Sequence, residues 1–258
     1  MPSLPEDADR ATAMYRHRTD AFVDDHGTGP PLVLGHGTLM DRTMFRPQVE
    51  ALADDYRVVA YDGRARTDNW QGPYDLDDLT EDCLAILDAL GIDSCTLGGM
   101  SMGGFVALRF ALAHPERVDA LVLVDTMAEP HPDEDRERYA NMVERTREAG
   151  DVPPDLAEVV AHLLFGSTTN EERPDLVESW QSRWLTYPGA AVHDEVHSWL
   201  DRPGVSDRLE EIDVPALVVH GAEDRSIDPE YGESMADAIP DARFVDVPEA
   251  GHSSNVEN

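Results

Sequence analysis

The chain contains no lysine. All 20 of its basic residues are arginines, against 53 aspartates and glutamates, so that the formal net charge at pH 7 is −33. This excess of negative charge argues against nucleic acid and anionic membranes as partners, because both are themselves negatively charged. The acidic residues are spread along the whole chain. Such a surface repels itself at low salt, where electrostatic screening is weak.

Cysteine and long apolar runs are also scarce. The two cysteines, Cys83 and Cys95, are too few for a disulfide framework, and both lie in apolar segments where a small core residue fits. No apolar run is long enough to cross a bilayer, and the first ten residues, MPSLPEDADR, lack the basic and apolar regions of a signal peptide. We therefore expect a soluble, cytoplasmic protein. Its 258 residues suit one large domain, or a core domain with an insertion.

Strands and helices alternate over most of the chain. Segments that predict strands occur at residues 11–16, 20–24, 32–37, 56–62, 95–99, 119–125, 214–221 and 242–247. Apolar residues three and four positions apart predict a helix over residues 74–91, ended by Gly91, and a second helix follows residue 101 and ends near Pro115. Continuous apolar strands that alternate with helices are typical of α/β proteins. We predict a mostly parallel eight-stranded sheet with helices on both faces.

This alternation stops between residues 126 and 212. The interval has helical segments with proline breaks and no strong strand, so we predict a helical cap over 126–212, inserted into a core formed by 1–125 and 213–258. Three of the four tryptophans fall in the interval: Trp180, Trp184 and Trp199. They fit two roles equally well, the lining of a substrate pocket or a small core of the cap itself.

One serine lies among four glycines, in the segment GGMSMGG. Ser101 is the centre of a G-x-S-x-G pattern whose glycines are Gly99 and Gly103. A predicted strand precedes it and a predicted helix follows it, and a sharp strand-to-helix turn is what exposes a nucleophilic serine to substrate. Small residues two positions before and after the serine relieve the crowding of such a turn. The context predicts that Ser101 is a nucleophile.

A nucleophilic serine needs a base that removes its proton and an acid that orients the base. His252, in the segment VPEAGH after the last predicted strand, is the candidate base. Asp224, a few residues beyond the predicted strand at 214–221, is the candidate acid. Asp125 and Asp228 remain alternatives for the acid, because some hydrolases place it after another strand.

The remaining histidines fit structural roles better. We expect His36 to organise a loop and His220 to pack beside the loop of the acid. The segment HDEVH, from His193 to His197, is similar to a helical zinc motif, but Asp194 stands where that motif has glutamate. We therefore predict a solvated acidic helix at this place and no metal site.

Together, these segments resemble the α/β-hydrolase family, in its group of serine esterases, lactonases and haloperoxidase-like enzymes. The resemblance is carried by DHGTGPPLVLGHGT, YDLDDLTEDCLAILDALGI, GGMSMGG, ALAHPERVDALVLVD, VPALVVHGAEDRSIDP and VPEAGH. It implies that His252 accepts the proton of Ser101 and that Asp224 orients His252. It also implies an oxyanion hole made by the backbone N–H groups of Thr38 and Met102. No cofactor is implied.

The resemblance implies hydrolysis of an ester, thioester or lactone of a small to medium substrate through an acyl-serine intermediate. Two alternatives stay open within the same fold. One is a carbon–carbon bond hydrolase, although Met100 stands where such enzymes usually carry asparagine, and the other is a perhydrolase or haloperoxidase-like enzyme. A third alternative is a non-catalytic module that binds a small ligand. A homo-oligomer is also left open.

Two segments depart from the pattern of the family. Where its members often read aspartate, any residue, arginine, glycine, histidine, glycine, this chain reads YDGRARTDN over residues 61–69, which alters a loop near the pocket. Members also usually continue into a final helix beyond a position such as Asn258. Without that helix we expect the sheet face to be covered in another way, or the protein to be less stable.

The acidic, lysine-free composition resembles that of proteins from haloarchaea, which work in molar intracellular salt. Salt at that concentration screens the self-repulsion of a surface with this charge. We therefore expect a halophilic enzyme.

Overall fold

The computed structural model describes residues 22–67 and 70–258. Their seven strands are β1 (Val23–His26), β2 (Pro31–Gly35), β3 (Arg57–Tyr61), β4 (Cys95–Met100), β5 (Val118–Val124), β6 (Ala216–Gly221) and β7 (Ala242–Val247). They form one sheet in the order β1-β3-β2-β4-β5-β6-β7, in which β1 is antiparallel to β3 and every other neighbouring pair is parallel. The described sheet thus has seven strands, not eight, because the strand predicted at 11–16 lies outside the described residues.

The edge strand β1 begins later than the predicted strand at 20–24. Aspartate is a poor strand former, yet β1 contains Asp24 and Asp25. Two arginines stabilise them: Arg42 contacts Asp24 at 3.0 Å and Arg57 contacts Asp25 at 2.7 Å. These ion pairs with distant residues explain why local composition did not place the strand correctly.

Alternate residues of the central strands are buried on opposite faces of the sheet. In β2, Leu32 and Leu34 belong to one apolar cluster and Val33 belongs to another. In β3 the same alternation separates Val58 from Val59. Both faces are therefore covered, as the continuous apolar runs predicted.

The described residues form ten α-helices: α1 (Arg46–Leu52), α2 (Leu76–Leu90), α3 (Met102–Ala113), α4 (Asp133–Ala149), α5 (Pro154–Leu164), α6 (Ser167–Glu172), α7 (Pro174–Trp184), α8 (Gly189–Leu200), α9 (Pro229–Ala238) and α10 (Ser254–Glu257). Short 3-10 turns occupy Arg42–Phe45, Arg64–Arg66, Pro115–Arg117 and Ser206–Glu211. None of these helices is long and apolar enough to cross a membrane.

Helix α2 shows how the sequence sets the ends of an element. The Asp75 side chain accepts hydrogen bonds from the backbone of Asp77 and Asp78, and the Asp78 side chain accepts one from Asp75 N–H. This reciprocal cap satisfies N–H groups that have no partner within the helix. Gly91 ends the helix with φ at +65°, a conformation that favours glycine. The helix predicted over 74–91 is confirmed to within two residues.

Helices α4 to α8 lie between β5 and β6, in the predicted cap segment 126–212. Their residues are shared between the two apolar clusters of the sheet: Trp199 of α8 packs with Phe105 of α3, whereas Trp184 of α7 packs in the cluster that contains Met40. The helical content of the segment is confirmed. Its behaviour as a separate cap domain stays a prediction.

The two cysteines are buried and unbonded, as predicted for small core residues. Burial raises the pKa of both thiols, that of Cys95 to about 12. Neither thiol is therefore a nucleophile at neutral pH.

Candidate active site

The turn between β4 and α3 holds Ser101 in an unusual backbone conformation. Its φ is +52° and its ψ is −113°, a combination that L residues adopt only when surrounding contacts enforce it. Ser101 N–H donates to the Val124 carbonyl at 2.9 Å, and the Ser101 carbonyl accepts from Thr126 Oγ1 at 2.9 Å. Strand β5 and Thr126, two residues beyond its end, therefore fix the turn from one side.

The two glycines of the pattern are required by close approach of backbone to backbone. A Cβ on Gly99 would lie 2.1 Å from the carbonyl carbon and oxygen of Gly103, and a Cβ on Gly103 would lie 2.1 Å from the Gly35 carbonyl oxygen. Neither position admits a side chain without movement of the backbone. This is the physical reason for the G-x-S-x-G spacing.

The structure brings the three predicted catalytic side chains into one hydrogen-bonded series. His252 Nε2 lies 2.9 Å from Ser101 Oγ, and His252 Nδ1 lies 2.7 Å from Asp224 Oδ2. The three residues follow strands β4, β6 and β7, whose carboxyl ends meet at one edge of the sheet. All three are buried. Their catalytic roles are still predictions, but the geometry is that of a nucleophile, its base and the group that orients the base.

Asp224 accepts four hydrogen bonds. Its Oδ1 accepts from the backbone N–H groups of Ser226 at 2.8 Å and Ile227 at 3.1 Å. Its Oδ2 is shared by two imidazoles, those of His252 at 2.7 Å and His220 at 3.0 Å. Burial would raise the pKa of Asp224, but the charge of His252 and the hydrogen bonds from both histidines lower it to about 2. The carboxylate is therefore ionised at neutral pH.

His220 is more than a packed neighbour of the acid loop. Its Nε2 lies 3.0 Å from both Asp224 Oδ2 and the Ile227 carbonyl oxygen. Both atoms are acceptors, so Nε2 carries the proton and donates to them. Its Nδ1 is buried and finds no hydrogen-bond partner among the described residues. His220 thus donates to the same carboxylate oxygen that accepts the hydrogen bond from the base.

Two carboxylates act on the candidate base. Burial alone would lower the pKa of His252, but the charges of Asp224 and then Asp125 raise it above its usual value. The imidazolium that forms when His252 accepts a proton is therefore stabilised, which is the property that a general base in this position needs.

The two alternative acids serve other purposes. Asp125 accepts hydrogen bonds from Gly221 N–H at 2.8 Å and from the N–H and hydroxyl of Ser254 at 2.9 and 2.7 Å. Burial, and then the charge of Asp224, raises the pKa of Asp125 to about 7. The three hydrogen-bond donors act in the opposite direction, because they favour the ionised form. Asp228 is exposed and caps α9 by accepting from Glu230 N–H at 3.0 Å. Neither is hydrogen-bonded to His252.

One predicted oxyanion donor, Thr38, lies in the loop after β2, and the other, Met102, directly follows Ser101. Met102 is the first residue of α3, where a backbone N–H has no partner within the helix. No residue in the described ranges accepts a hydrogen bond from Thr38 N–H. The Thr38 hydroxyl accepts from Trp199 Nε1 at 2.8 Å, which fixes the loop against α8. The oxyanion hole itself stays a prediction.

His36 organises the loop that follows β2, as predicted. Its Nε2 accepts from Gly63 N–H at 2.8 Å, so its Nδ1 carries the proton and donates to the Gly37 carbonyl at 2.8 Å. Gly63 belongs to the segment YDGRARTDN that departs from the family pattern. The altered segment therefore still docks beside the loop of Thr38.

A cavity of about 740 Å³, including its mouth, opens above Ser101 and His252. Its apolar walls come largely from the cap segment and include Met142, Val143, Val152, Leu156, Val160, Leu163, Leu164, Val192, Val196 and Trp199. Trp180 and Trp184 instead pack in an apolar cluster, where Trp184 stacks on Phe165 at 6.2 Å. The tryptophans are thus divided between the two predicted roles.

The prediction of a solvated acidic helix at HDEVH is wrong. The segment lies in α8, where Glu195 is 1% exposed and forms an ion pair with Arg66 at 2.6 Å. The same carboxylate oxygen accepts from Leu39 N–H at 3.1 Å, one residue after Thr38. Leu39 has a φ of +64°, so the ion pair holds a strained point of the candidate oxyanion loop. Sequence spacing could not reveal a partner 129 residues away.

A second buried carboxylate was not foreseen. Glu257 Oε1 accepts from the N–H groups of Gly251 and Ser253 at 2.9 and 3.1 Å, on both sides of His252. Its Oε2 accepts from Gly166 N–H in the cap segment at 2.8 Å. The one signal available in the sequence was an acidic residue five positions after the candidate base, which is too weak to single it out.

Asp125, His220 and Asp224 offer donor atoms that all lie within 4.8 Å of one another. Four hydrogen bonds already occupy the oxygens of Asp224, and His220 Nε2 carries its proton toward two acceptors. This donor set therefore fits a hydrogen-bond network better than a metal ion. The absence of a metal from the active protein stays a prediction.

The fold and the strained serine turn define a hydrolase of the α/β class. The chain belongs to the alpha/beta hydrolase fold family, whose model matches residues 30–258. It is 30% identical to 3-oxoadipate enol-lactonase 2 of Acinetobacter baylyi over 230 residues, which cover 88% of this chain and 84% of that protein. Its structure is similar to a thermophilic esterase from Thermogutta terrifontis, with a TM-score of 0.85, 34% identity and coverage of 91% and 87% of the two chains. It is also similar to the enol-lactonase of Burkholderia xenovorans, with a TM-score of 0.81, 28% identity and coverage of 91% and 90%.

Proposed function

We propose that the protein is a serine hydrolase that cleaves an ester, thioester or lactone of a small to medium substrate through an acyl-enzyme intermediate. The observation that carries the proposal is the unbroken series from Ser101 Oγ through His252 to Asp224, at 2.9 and 2.7 Å, at the base of an apolar cavity. The relatives named as an esterase and as enol-lactonases support this class of reaction.

Acylation starts with proton transfer from Ser101 Oγ to His252 Nε2 as the serine oxygen attacks the substrate carbonyl carbon. The negative charge that develops on the carbonyl oxygen is stabilised by the N–H groups of Thr38 and Met102, and one such donor is typically worth about 10²–10³ in rate. The tetrahedral intermediate then expels the alcohol, thiol or enol, which takes the proton from His252 Nε2. Asp224 accepts the hydrogen bond from His252 Nδ1 throughout.

Deacylation repeats these steps with water. His252 Nε2 removes a proton from a water molecule, whose oxygen attacks the acyl carbon, and the same proton returns to Ser101 Oγ as the ester bond to the serine breaks. In a lactone, the leaving group stays attached to the acyl part, so one hydroxy acid or oxo acid is released.

We also propose that the enzyme works at high salt. The net charge of −33 and the replacement of every lysine by arginine support this proposal. At low ionic strength the repulsion between exposed carboxylates destabilises the compact state, and molar salt shortens the screening length to about 3 Å.

The test combines covalent labelling with kinetics. Wild-type protein and the Ser101→Ala variant are treated with a fluorophosphonate probe, and both are assayed with short and medium p-nitrophenyl esters and with lactones, from dilute buffer to several molar KCl. We expect labelling and turnover only when Ser101 is present, with both increasing as salt rises. The matched control is Ser179→Ala, which removes an exposed serine of α7 and should behave like the wild type.

Each result has one meaning. Labelling without turnover of esters, together with turnover of lactones, places the protein among lactonases. A folded protein that neither labels nor turns over any substrate contradicts the hydrolase proposal and favours a ligand-binding module. Activity that does not depend on salt contradicts the halophilic part alone.

A further inference from the structure

A buried histidine in the cavity wall is held in a single protonation state. His131 Nδ1 lies 2.6 Å from the Arg202 Nη1 nitrogen. A guanidinium group only donates hydrogen bonds, so Nδ1 is the acceptor and the ring proton is on Nε2. Burial, and then the charge of Arg202, lowers the pKa of His131 to about 2. The imidazole is therefore neutral at any working pH and presents an N–H group on its other side.

Three aromatic rings fix the plane of this imidazole. Phe105 and Tyr139 meet it edge-on at centroid distances of 6.0 and 5.6 Å, and Trp199 lies against it at 5.0 Å. His131 lines the same cavity as Ser101, and within residues 22–67 and 70–258 nothing accepts a hydrogen bond from its Nε2. Because most of the surrounding wall is apolar, an oxygen atom of a bound substrate is the partner that this N–H lacks.

The guanidinium behind the imidazole forms no ion pair within the described part of the chain. Arg202 is 6% exposed, and no carboxylate of the described chain lies within ion-pair distance of it. Its other hydrogen bonds reach the carbonyl oxygens of Trp199 and Glu129 at 3.2 and 2.8 Å. Burial, and then the charge of Arg109, lowers the pKa of Arg202 to about 9, so the guanidinium is still charged at neutral pH. The charge of Glu129 acts the other way on this pKa, and the centroid of the Phe105 ring lies 3.6 Å from the guanidinium carbon. Neither forms an ion pair with Arg202, so an anion that binds nearby is stabilised.

The same ring also borders a second, polar cavity. His131, Ser226 and Ile227 line both cavities. The polar cavity also contains two arginines and four acidic residues: Arg138, Arg225, Glu129, Asp135, Asp228 and Glu230. A charged group that meets His131 therefore lies beside a polar space and is not sealed inside apolar walls. This arrangement lowers the cost of bringing a charged substrate group to the donor.

We propose that His131 Nε2–H, with Arg202 behind it, binds a carboxylate carried by the part of the substrate that occupies the cavity. The inference rests on the proposed hydrolase function and specifies its substrate class: esters or lactones of dicarboxylic acids. A neutral carbonyl would satisfy the donor, but only a carboxylate also carries a negative charge that the guanidinium of Arg202 attracts. Because His131 does not titrate, this recognition is independent of pH as long as the substrate carboxylate is ionised.

The test compares three matched sets of p-nitrophenyl esters. The first set consists of half-esters of straight-chain dicarboxylic acids from four to eight carbons, the second replaces the free carboxylate by a primary amide, and the third replaces it by an alkyl group of similar size. All are assayed at one fixed ionic strength at which the protein is folded. We expect kcat/KM for the best half-ester to exceed that of its amide and alkyl partners by about 10- to 100-fold, the range for a hydrogen bond to a charged group.

Variants assign this selectivity to the two residues. His131→Phe keeps the aromatic ring and removes the donor, and Arg202→Met removes the charge. In both we expect the ratio of half-ester to alkyl ester to fall toward one, whereas His131→Gln, which restores an N–H group at similar reach, recovers part of it. The matched control is His197→Phe, an exposed histidine of α8, whose ratio should equal that of the wild type. A structural role alone would lower kcat/KM for both esters and leave their ratio unchanged.

The proposal is overturned if the amide equals the half-ester, if the alkyl ester is preferred, or if His131→Phe keeps the wild-type ratio. If the protein hydrolyses none of these esters, a binding measurement decides the inference. In that case the melting temperature of the Ser101→Ala protein is measured with the free dicarboxylic acids. Stabilisation that is lost on adding His131→Phe supports the binding point, and no stabilisation contradicts it.

Discussion

Replacement of Asp224 by asparagine tests the four-donor arrangement at the acid. Asparagine has one acceptor oxygen and one NH2 group where aspartate has two acceptor oxygens. If the oxygen faces His252 and His220, the NH2 group faces the N–H groups of Ser226 and Ile227, now at 2.8 and 3.1 Å from Oδ1. One buried donor, Ile227 N–H, and one partly buried donor, Ser226 N–H, are then left without this acceptor. At about 1–3 kcal/mol each, we expect Asp224→Asn to lose roughly 2–6 kcal/mol of folding free energy.

The opposite orientation of the amide is no better. The NH2 group would then face the two imidazoles, and His220 Nε2 must keep its proton for the Ile227 carbonyl at 3.0 Å. His252 would accept the amide proton only in the tautomer that carries its own proton on Nε2, where it cannot serve as a base for Ser101. In this orientation we therefore expect kcat to fall by about 10⁴, the loss typical of a serine hydrolase whose acid becomes an amide that imposes the wrong tautomer.

The assay is thermal unfolding combined with ester kinetics at one salt concentration. For a chain of this size about 1 kcal/mol corresponds to roughly 2–4 °C, so the melting temperature of Asp224→Asn should fall by roughly 5–20 °C. The control is Asp228→Asn, because asparagine caps a helix as well as aspartate does, and neither stability nor kcat should change. Asp224→Asn with wild-type stability would refute the four-donor account, and Asp125→Asn with the larger loss of kcat at equal stability would refute the choice of acid.

Two further predictions concern the base and the cap. Asp224 and Asp125 raise the pKa of His252, and only neutral His252 accepts the serine proton. We therefore expect kcat/KM to fall as the pH drops through an apparent pKa above 6.5. A midpoint below 6.5 in the pH profile would contradict this. Glu195→Gln leaves the buried Arg66 without a counter-charge, so it should lower the free energy of chemical unfolding by about 3–5 kcal/mol. Glu211→Gln, at an exposed ion pair, should cause no measurable change. The double variant Glu195→Leu with Arg66→Met should lose less stability than Glu195→Gln alone. Equal stability of Glu195→Gln and the wild type would contradict the role given to the pair.

Features of the site that depend on local crowding could be predicted from the sequence. The spacing of Gly99, Ser101 and Gly103 expresses a steric demand within five residues, and the strand and helix on either side show in their apolar patterns. His252 could be placed for a related reason, because it follows the last parallel strand and must reach the same edge of the sheet.

Features that depend on pairing between distant residues could not be predicted. The charge of Glu195 was assigned to solvent because α8 looks acidic in isolation, and its burial is compensated only by Arg66, on a loop 129 residues earlier. The same holds for β1, whose two aspartates are balanced by Arg42 and Arg57. Charge in a sequence shows where a residue is costly to bury, but not where its counter-charge lies.

The contact from Glu195 to Leu39 also has a consequence for exchanging the helices over the pocket. A carboxylate on the inserted helices supports the backbone beside the candidate oxyanion donors, and an arginine of the core neutralises it. The insertion is therefore not an interchangeable accessory placed over a finished catalytic centre. A chimaera that takes its cap from another member needs a carboxylate at this point of α8, or a core in which Arg66 has also been replaced. In this chain, a change in the helices that line the pocket can therefore also shift the backbone beside the candidate oxyanion donors.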